Sequence, residues 1–421
     1  MQSSIKLRLT VMNFLQFAVW GAYLTSMGRY LGTAGFGSEI GNFYAMQGLV
    51  SLFMPALMGI VADRWIPAQR LLGLCHMWAG MLMLGVFLYT QTDTPSYPTL
   101  FALYSLSVAF YMPTLALSNS VAYTSLDQAG LDLVKSFPPI RVFGTVGFIC
   151  TMIAVSLLGL EATSGQFAVS AIISLVLAVY AQTLPNCPTA PKGQSKSLVE
   201  ALGLRAFVLF KQRKMALFFI FSMLLGVSLQ ITNGFANPFI STFGEIPAYA
   251  DTFGVKYANI LISLSQLSET LCILLIPFAL RRFGIRRVML IAMVAWVLRF
   301  ALLGLGNPGS GVWLFLLSMI VYGVAFDFFN VSGSLFVDKE TDPSIRSSAQ
   351  GLFMIMTNGI GATLGSLGAQ AVINHFVYSE HDTTAILAGW SMSWYIFAAY
   401  AAVVAVLFAL LFRYNTATEA K

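Results

Sequence analysis

Residues Met319–Phe336 read MIVYGVAFDFFNVSGSLF, an apolar run that contains a single charge, Asp327. An uninterrupted apolar run of this length is typical of a helix that crosses a membrane. A carboxylate at the centre of a bilayer costs about 2.5–3.5 kcal/mol on insertion scales, so it is rarely placed there without a role. We therefore expect Asp327 to face a polar cavity, to find a partner or to carry a proton. A structural acid neutralised by a neighbouring helix is the alternative.

Helical spacing places further polar groups beside this acid. Four small or polar residues fall at i, i+4, i+7 and i+11 and share one face: Gly323, Asp327, Asn330 and Ser334. Tyr322 and Phe326 flank that face as an i, i+4 aromatic pair. The combination of an acid, an amide and two aromatic rings predicts the wall of a ligand site.

The composition indicates a membrane protein. Of 421 residues, 57% are hydrophobic and 10% are charged, with a mean hydropathy of +0.78, whereas soluble chains carry about 25% charged residues. The basic residues cluster in short loops between apolar runs, so the high pI does not predict binding to nucleic acid. The four cysteines and three histidines show no metal-ligand spacing, and we expect neither a metal site nor a disulfide framework.

Windows of about 20 apolar residues predict an all-α polytopic chain with twelve transmembrane helices. The predicted segments are roughly 7–31, 41–62, 71–91, 98–123, 139–160, 166–184, 214–243, 256–280, 287–306, 311–336, 346–376 and 390–412. The first and seventh are long, which predicts tilted or extended helices.

Basic residues decide the orientation, because cytoplasmic loops carry an excess of lysine and arginine. If both termini are cytoplasmic, the loops on the outer side of the membrane contain only two basic residues, Arg29 and Lys256, beside seven acids. Only Arg141 and Arg299 then lie within the apolar runs. All the other basic residues then lie inside. The sequence therefore predicts cytoplasmic termini.

A polar stretch rich in proline, serine and charge follows the sixth segment. It divides the chain into an N-terminal six-helix bundle (1–184), a cytoplasmic linker (185–213) and a C-terminal six-helix bundle (214–421). Two such halves predict a central path with a substrate site near the middle of the membrane. The loops Gly59–Arg70 and Pro277–Arg287 occupy matching places in the two halves, which supports an internal repeat.

Other polar residues also recur at helical spacing. Arg141, Thr145 and Phe148 share one face of the fifth segment, and an arginine that reaches the cytoplasmic surface is the alternative. Three amides share a face of the seventh segment: Gln230, Asn233 and Asn237. We expect them to line a cavity rather than lipid, or else to bind one another.

The eighth segment pairs Gln266 with Glu269 at i, i+3. In the ninth segment, Arg299 is about equally deep, and we expect a structural ion pair with an acid of a neighbouring segment. A reach to the outer surface is the alternative.

The loop pattern G-x-x-x-D-R resembles the signature of the major facilitator superfamily. Gly59, Asp63 and Arg64 match it, whereas Arg281 takes the place of the acid in the second half. The resemblance implies that these residues form a gating latch, which holds the halves through helix-end charges as they rock.

Over its whole length the chain resembles the nucleoside:H+ symporter family of that superfamily. The most specific stretches are FLQFAVWGAYLTSMG (Phe14–Gly28), FMPALMGIVAD (Phe53–Asp63), FPPIRVFGTVGF (Phe137–Phe148), FFIFSMLLGVSLQITN (Phe218–Asn233), SQLSETL (Ser265–Leu271) and IVYGVAFDFFNVSGSLFV (Ile320–Val337). The resemblance implies proton-coupled import of nucleosides by alternating access, with a central site between the halves. It does not settle purine against pyrimidine preference.

Residues that match the family's motifs are implied as substrate contacts: Arg141, Thr145, Phe148, Gln230, Asn233, Gln266, Glu269, Tyr322, Phe326 and Asp327. Aromatic faces suit a base, amides suit its edge, and a carboxylate suits the two ribose hydroxyls. The two acids are also the expected proton carriers. We predict that Asp327 couples to the proton and that Glu269 mainly binds ribose.

A proton-coupled transporter of sugars or other small polar metabolites remains the alternative, since amides, an acid and a ring suit sugars equally well. We find no nucleophile–base set or metal cluster and no sizeable soluble domain, so an enzyme or a receptor is not expected. We expect a monomer without a cofactor in the bacterial inner membrane. Its expected ligands are H+ and nucleosides such as uridine, cytidine and adenosine-like compounds.

Overall fold

The computed structural model describes residues 2–189, 198–202 and 204–414, and every regular element in these ranges is helical. The first nine helices are α1 Gln2–Gly21, α2 Met27–Thr33, α3 Ile40–Ser51, α4 Met54–Arg64, α5 Ala68–Tyr89, α6 Tyr97–Gln128, α7 Leu133–Leu157, α8 Gly165–Tyr180 and α9 Leu198–Ala201. The others are α10 Arg213–Leu229, α11 Ile231–Thr242, α12 Pro247–Ala250, α13 Phe253–Lys256, α14 Ala258–Leu305, α15 Val312–Glu340, α16 Arg346–Met354, α17 Ala362–Phe376 and α18 Thr383–Leu411. Short 3₁₀ turns occupy Gly37–Glu39, Ala181–Thr183, Leu204–Lys211 and Phe243–Glu245, and Ile355–Gly361 is a π-helix.

Within the described ranges, ten helices are long and apolar enough to cross a membrane. The first predicted segment is divided between α1 and α2, and the eighth and ninth fall within α14. Gly284 interrupts α14 with φ 76° and ψ 164°, a conformation that favours glycine. All twelve predicted segments contain helix, but the count of twelve spans stays a prediction.

The two segments predicted to be long are interrupted rather than continuous. The first breaks at residues 22–26 and the seventh at Gln230, between α10 and α11. A break in a membrane helix frees backbone groups, and neighbouring side chains or a polar cavity must satisfy them. The break at Gln230 therefore marks a candidate site.

The chain forms two compact units. Unit 1 comprises residues 1–36 and 49–202, and unit 2 comprises 37–48 and 203–421. The predicted bundle boundaries at 184 and 214 stay predictions, and residues 190–197 and 203 of the predicted linker lie outside the described ranges.

Glycines bring α1 and α7 together in unit 1. A Cβ added to Gly21 would lie 2.4 Å from the carbonyl oxygen of Phe148, and one added to Gly147 would lie 2.1 Å from that of Phe14. Small residues allow helix backbones to approach closely in a membrane. The two helices therefore cross in backbone contact, directly beside the candidate residues of α7.

A buried polar network joins four helices of unit 1. The Gln16 side chain donates from Nε2 to Thr114 Oγ1 at 2.7 Å, and its Oε1 lies 2.8 Å from His76 Nε2. The other ring nitrogen, Nδ1, is 2.9 Å from Ser174 Oγ, and the Tyr111 hydroxyl donates to the Gln16 carbonyl at 2.9 Å. This part of α1 is packed rather than open to a cavity.

In unit 2, α10 packs on the π-helix and on α17 through a second set of glycines. An added Cβ would lie 2.3 Å from the Thr357 carbonyl oxygen at Gly226, and 2.0 Å from the Val227 carbonyl oxygen at Gly365. Both backbones are in van der Waals contact here, so neither position accepts a larger side chain without movement.

Residues 37–48 belong to unit 2 although they precede most of unit 1 in the chain. Gln370 on α17 accepts from the Gly41 amide at 2.5 Å and donates to the Gly37 carbonyl at 3.0 Å. Thr363 Oγ1 donates to the Ala45 carbonyl at 3.3 Å. The first part of α3 is thus held to α17 by hydrogen bonds.

Of the three residues of the expected latch, Gly59 lies in the middle of α4, and Asp63 and Arg64 lie at its end. Gly59 and Asp63 are partly buried and Arg64 is exposed. In the matching loop of unit 2, Arg286 donates to the carbonyls of Phe412 (2.6 Å) and Ala409 (2.7 Å). A cation at a helix C-terminus is favourable, so this arginine caps α18. The latch itself stays a prediction.

Candidate functional site

The first half of α14 crosses α15 in backbone contact. An added Cβ at Gly323 would lie 2.5 Å from the Ser268 carbonyl oxygen, and the Ser268 hydroxyl donates a short hydrogen bond to the Ile320 carbonyl. Glu269 directly follows Ser268, and Asp327 lies one turn beyond Gly323. The crossing therefore brings two acids of different helices into one region of unit 2.

Asp327 is only 6% exposed. Its Oδ2 atom is buried and has no hydrogen-bond partner among the described residues. Glu269 is partly buried and close enough for its charge to act on Asp327. A buried carboxyl that lacks a partner is costly when ionised. Asp327 is thus placed to gain and lose a proton or to bind a polar ligand.

An aromatic cluster adjoins the acids. The Tyr322 and Phe326 rings stack with centroids 5.6 Å apart at an interplanar angle of 17°. The Trp296 and Tyr322 rings are nearly perpendicular, at 88°, with centroids 5.9 Å apart. Phe326 is partly exposed whereas Tyr322 is 5% exposed. The i, i+4 pair predicted from the sequence therefore forms. Phe326 is accessible, whereas Tyr322 is buried and packs against Trp296.

The amides of the seventh predicted segment separate into two groups. Asn233 donates from Nδ2 to Gln230 Oε1 at 2.9 Å, and both side chains are partly exposed. Asn237 is fully buried and donates to Asn259 Oδ1 at 2.9 Å. Gln230 and Asn233 thus remain candidates for ligand contact, while Asn237 packs inside unit 2.

In unit 1, the candidate residues lie along α7. The Arg141 guanidinium carbon stands 4.0 Å from the centroid of the Phe17 ring, in a cation–π contact. Phe148 is 5% exposed and receives the edge of Trp20 at 6.4 Å and 86°. Arg141 and Thr145 are partly buried. A cation, a hydroxyl and a ring therefore share one side of α7, as the spacing predicts.

Two of the four residues in the polar stripe of α15 pack against other helices instead of being left for a ligand. Gly323 is used for the crossing with α14. Ser334 binds Gln350 through two hydrogen bonds, of 3.0 and 2.8 Å, and so joins α15 to α16. Of the four stripe residues, only Asp327 and Asn330 are left as candidates for a ligand wall.

The prediction of an ion pair for Arg299 is wrong. The residue is 1% exposed, and no ion pair among the described residues includes it. Its guanidinium binds backbone and hydroxyl oxygens and an aromatic ring instead. Spacing along one helix could not reveal these partners, which come from α15 and from the first half of α14.

No group of three or more histidine, cysteine, aspartate and glutamate side chains that could hold a metal ion occurs in the described part of the chain. The site is built from carboxylates, amides and rings, which suits a polar organic ligand with a flat apolar face.

Comparison with known proteins identifies the family. The model of the nucleoside H+ symporter family matches residues 3–417. The xanthosine permease of Escherichia coli K12 is 50% identical over 415 residues, which cover 98% of this chain and 97% of that protein. The nucleoside permease NupG of the same organism is 46% identical over equal coverage. A crystal structure of the nucleoside transporter NupG matches with a TM-score of 0.89 at 45% identity, covering 98% of this chain and 100% of that one.

The chain belongs to the nucleoside H+ symporter family. It is an all-α, multi-pass membrane transporter with the major facilitator fold, and it is not an enzyme. These comparisons confirm the family and the fold class expected from the sequence. The residue assignments of the site and of the latch stay predictions.

Proposed function

We propose that this protein imports nucleosides together with protons across the bacterial inner membrane by alternating access, with both termini in the cytoplasm, as a monomer. Uridine, cytidine and adenosine-like nucleosides are the proposed substrates. The observation that carries the proposal is the stacked Tyr322–Phe326 pair beside Asp327 and Glu269, in a chain of the nucleoside H+ symporter family.

The chemistry of this region matches a nucleoside. A partly exposed aromatic face can stack on a nucleobase, which is worth about 1–3 kcal/mol per base in proteins that bind single strands. The amides of Gln230, Asn233 and Gln266 offer donors and acceptors for a base edge. A carboxylate can accept from two neighbouring ribose hydroxyls, the role we propose for Glu269.

The remaining proposed contacts are Arg141, Thr145 and Phe148. Arg141 keeps its charge at every physiological pH, so it can donate hydrogen bonds to a ligand in any protonation state of the acids. We propose Asp327 as the main proton carrier and Gly59, Asp63 and Arg64 as the latch.

The direct test is uptake of radiolabelled uridine by transporter-deficient cells that express the protein, with and without a protonophore. We expect saturable uptake that the protonophore abolishes, because net import against a gradient requires the proton gradient. Excess unlabelled uridine or cytidine should compete, and free ribose should not.

Three outcomes would contradict the proposal or a part of it. Competition by ribose alone would favour a sugar transporter, and uptake that persists with the protonophore would leave a facilitator without proton coupling. Failure to take up uridine, from protein shown to reach the membrane, would contradict pyrimidine import, and labelled xanthosine or adenosine would then be the next substrates to test.

The amides of α11 give a matched pair of variants. Asn233→Ala should raise the KM for uridine by roughly tenfold, since it removes hydrogen bonds worth about 1–1.5 kcal/mol, and it should leave Tm unchanged. Asn237→Ala should lower Tm, because it removes a buried partner of Asn259, and it should leave KM unchanged. Uptake kinetics and thermal unfolding in detergent distinguish the two, and equal KM values for both variants would remove Asn233 from the site.

A further inference from the structure

Arg299 is a buried cation that has no acidic partner among the residues the structure describes. It lies in the second half of α14, and its side chain is among the largest that are fully buried. Nη1 donates to the Ser318 carbonyl at 2.7 Å, and Nη1 and Nη2 both lie 3.4 Å from Ser265 Oγ. Nε has no hydrogen-bond partner among the described residues. Burial of a guanidinium is costly, and these bonds satisfy it only in part.

Besides the Met319 sulfur, which lies 3.8 Å from Nη1, the guanidinium contacts an aromatic face. Its central carbon lies 4.5 Å from the centroid of the Tyr322 ring. The same ring stacks on Phe326 and packs nearly perpendicular to Trp296. Three side chains therefore hold Tyr322: Trp296 and Arg299 of α14 and Phe326 of α15. Of these three, only Arg299 is charged.

The position of this cation also matters electrically. Arg299 lies over the Tyr322 ring, and the two acids lie on the same pair of helices, Glu269 on α14 and Asp327 on α15. A cation attracts the face of an aromatic ring more strongly when both are removed from water. Packing alone does not require a charge at this position, because an unbranched apolar side chain such as methionine can fill an irregular space in a core.

We infer that Arg299 is a positioning residue for nucleoside binding: it holds the Tyr322 ring in its stacked position on Phe326 through the cation–π contact, while the bonds to Ser318 and Ser265 orient the guanidinium. The inference rests on the proposed function, since Tyr322 and Phe326 are proposed to receive the base. Arg299 touches the ring and not the substrate, so it acts through Tyr322.

A double-mutant cycle in the uridine uptake assay tests this role. Arg299→Met should raise KM about tenfold, the loss expected for a desolvated cation–π contact, with Vmax per molecule changed less than about twofold because binding and not turnover depends on the ring. Arg299→Lys keeps the charge but not the planar group, so its KM should lie between those of the wild type and Arg299→Met. In a Tyr322→Leu background, Arg299→Met should change KM by less than about twofold, because the two residues act as one unit.

The controls separate this inference from a failure of folding or of the proposed function. Wild-type uptake is measured first, and its absence would contradict nucleoside transport itself. Arg286→Met removes a structural arginine that caps α18, and it should lower Tm without changing KM. If Arg299→Met does not reach the membrane, Arg299→Lys replaces it in the cycle. An unchanged KM, or equal changes of KM with and without Tyr322, would overturn the inference.

Discussion

Asp327→Asn should abolish the accumulation of nucleoside while the protein stays folded. Asparagine has nearly the size of aspartate but cannot take up and release a proton. The carboxyl is 6% exposed and its Oδ2 has no partner among the described residues, so the substitution breaks no hydrogen bond to that atom. We expect the initial rate of protonophore-sensitive uptake to fall by about 100-fold or more, the effect typical of a lost proton-transfer group.

Two further measurements locate the defect. Exchange of labelled uridine against an internal unlabelled pool requires no net proton movement, so it should persist in the variant. Asp338→Asn is the matched control on the same helix. Its carboxylate is half exposed and pairs with Arg346 at 3.2 Å, and a surface pair of this kind contributes little, so uptake should stay at the wild-type level.

A separate pair of variants tests whether Asp327 carries the proton and Glu269 binds the ribose. Glu269→Gln should raise the KM for uridine and retain proton-driven accumulation. If Asp327→Asn instead kept accumulation, and Glu269→Gln lost it but still bound uridine, the two roles would be reversed.

Gly365→Ala should strongly destabilise unit 2. The added Cβ would lie 2.0 Å from the Val227 carbonyl oxygen and 2.7 Å from its Cα, and backbone atoms cannot turn aside as a flexible side chain does. Overpacking costs about 1–3 kcal/mol and sometimes more, so we expect Tm to fall by roughly 2–12 °C at about 2–4 °C per kcal/mol. Thermal unfolding of the purified protein in detergent measures this directly.

Gly368 on the same helix provides the control. A Cβ added there would meet nothing within 4 Å, and alanine stabilises a helix interior relative to glycine by about 0.5–1 kcal/mol. Gly368→Ala should therefore keep or slightly raise Tm. Equal Tm values for the two variants would show that α17 does not pack on α10 as closely as the structure places it.

Much of the architecture follows from hydropathy, because each apolar run of about 20 residues must form a helix in lipid. The interruptions were not predictable in this way. Residues 22–26 and Gln230 lie within long, mainly apolar runs whose hydropathy gives no sign of a break, and tertiary contacts decide where the helix breaks. The kink at Gly284, by contrast, lies in the loop Pro277–Arg287, which its basic residues did predict.

The candidate site was predictable where its residues share one helix. The Tyr322–Phe326 stack and the side of α7 that carries Arg141 both follow from helical spacing. Spacing could not say which polar residues are used for packing between helices. Asn237, Ser334 and Gln16 each bind a partner on another helix, and Arg299 binds none of the acids that its depth in the membrane suggested.

The hydrogen bonds between residues 37–48 and α17 determine where the chain can be divided if the two units are to be expressed separately. A fragment that begins at residue 203 lacks the segment that hydrogen-bonds to Gln370 and Thr363, so these two side chains would lose those hydrogen bonds. The two units are therefore not interchangeable cassettes, although the matching loops suggest an internal duplication. Any chimaera or separately expressed fragment that contains unit 2 should therefore include residues 37–48.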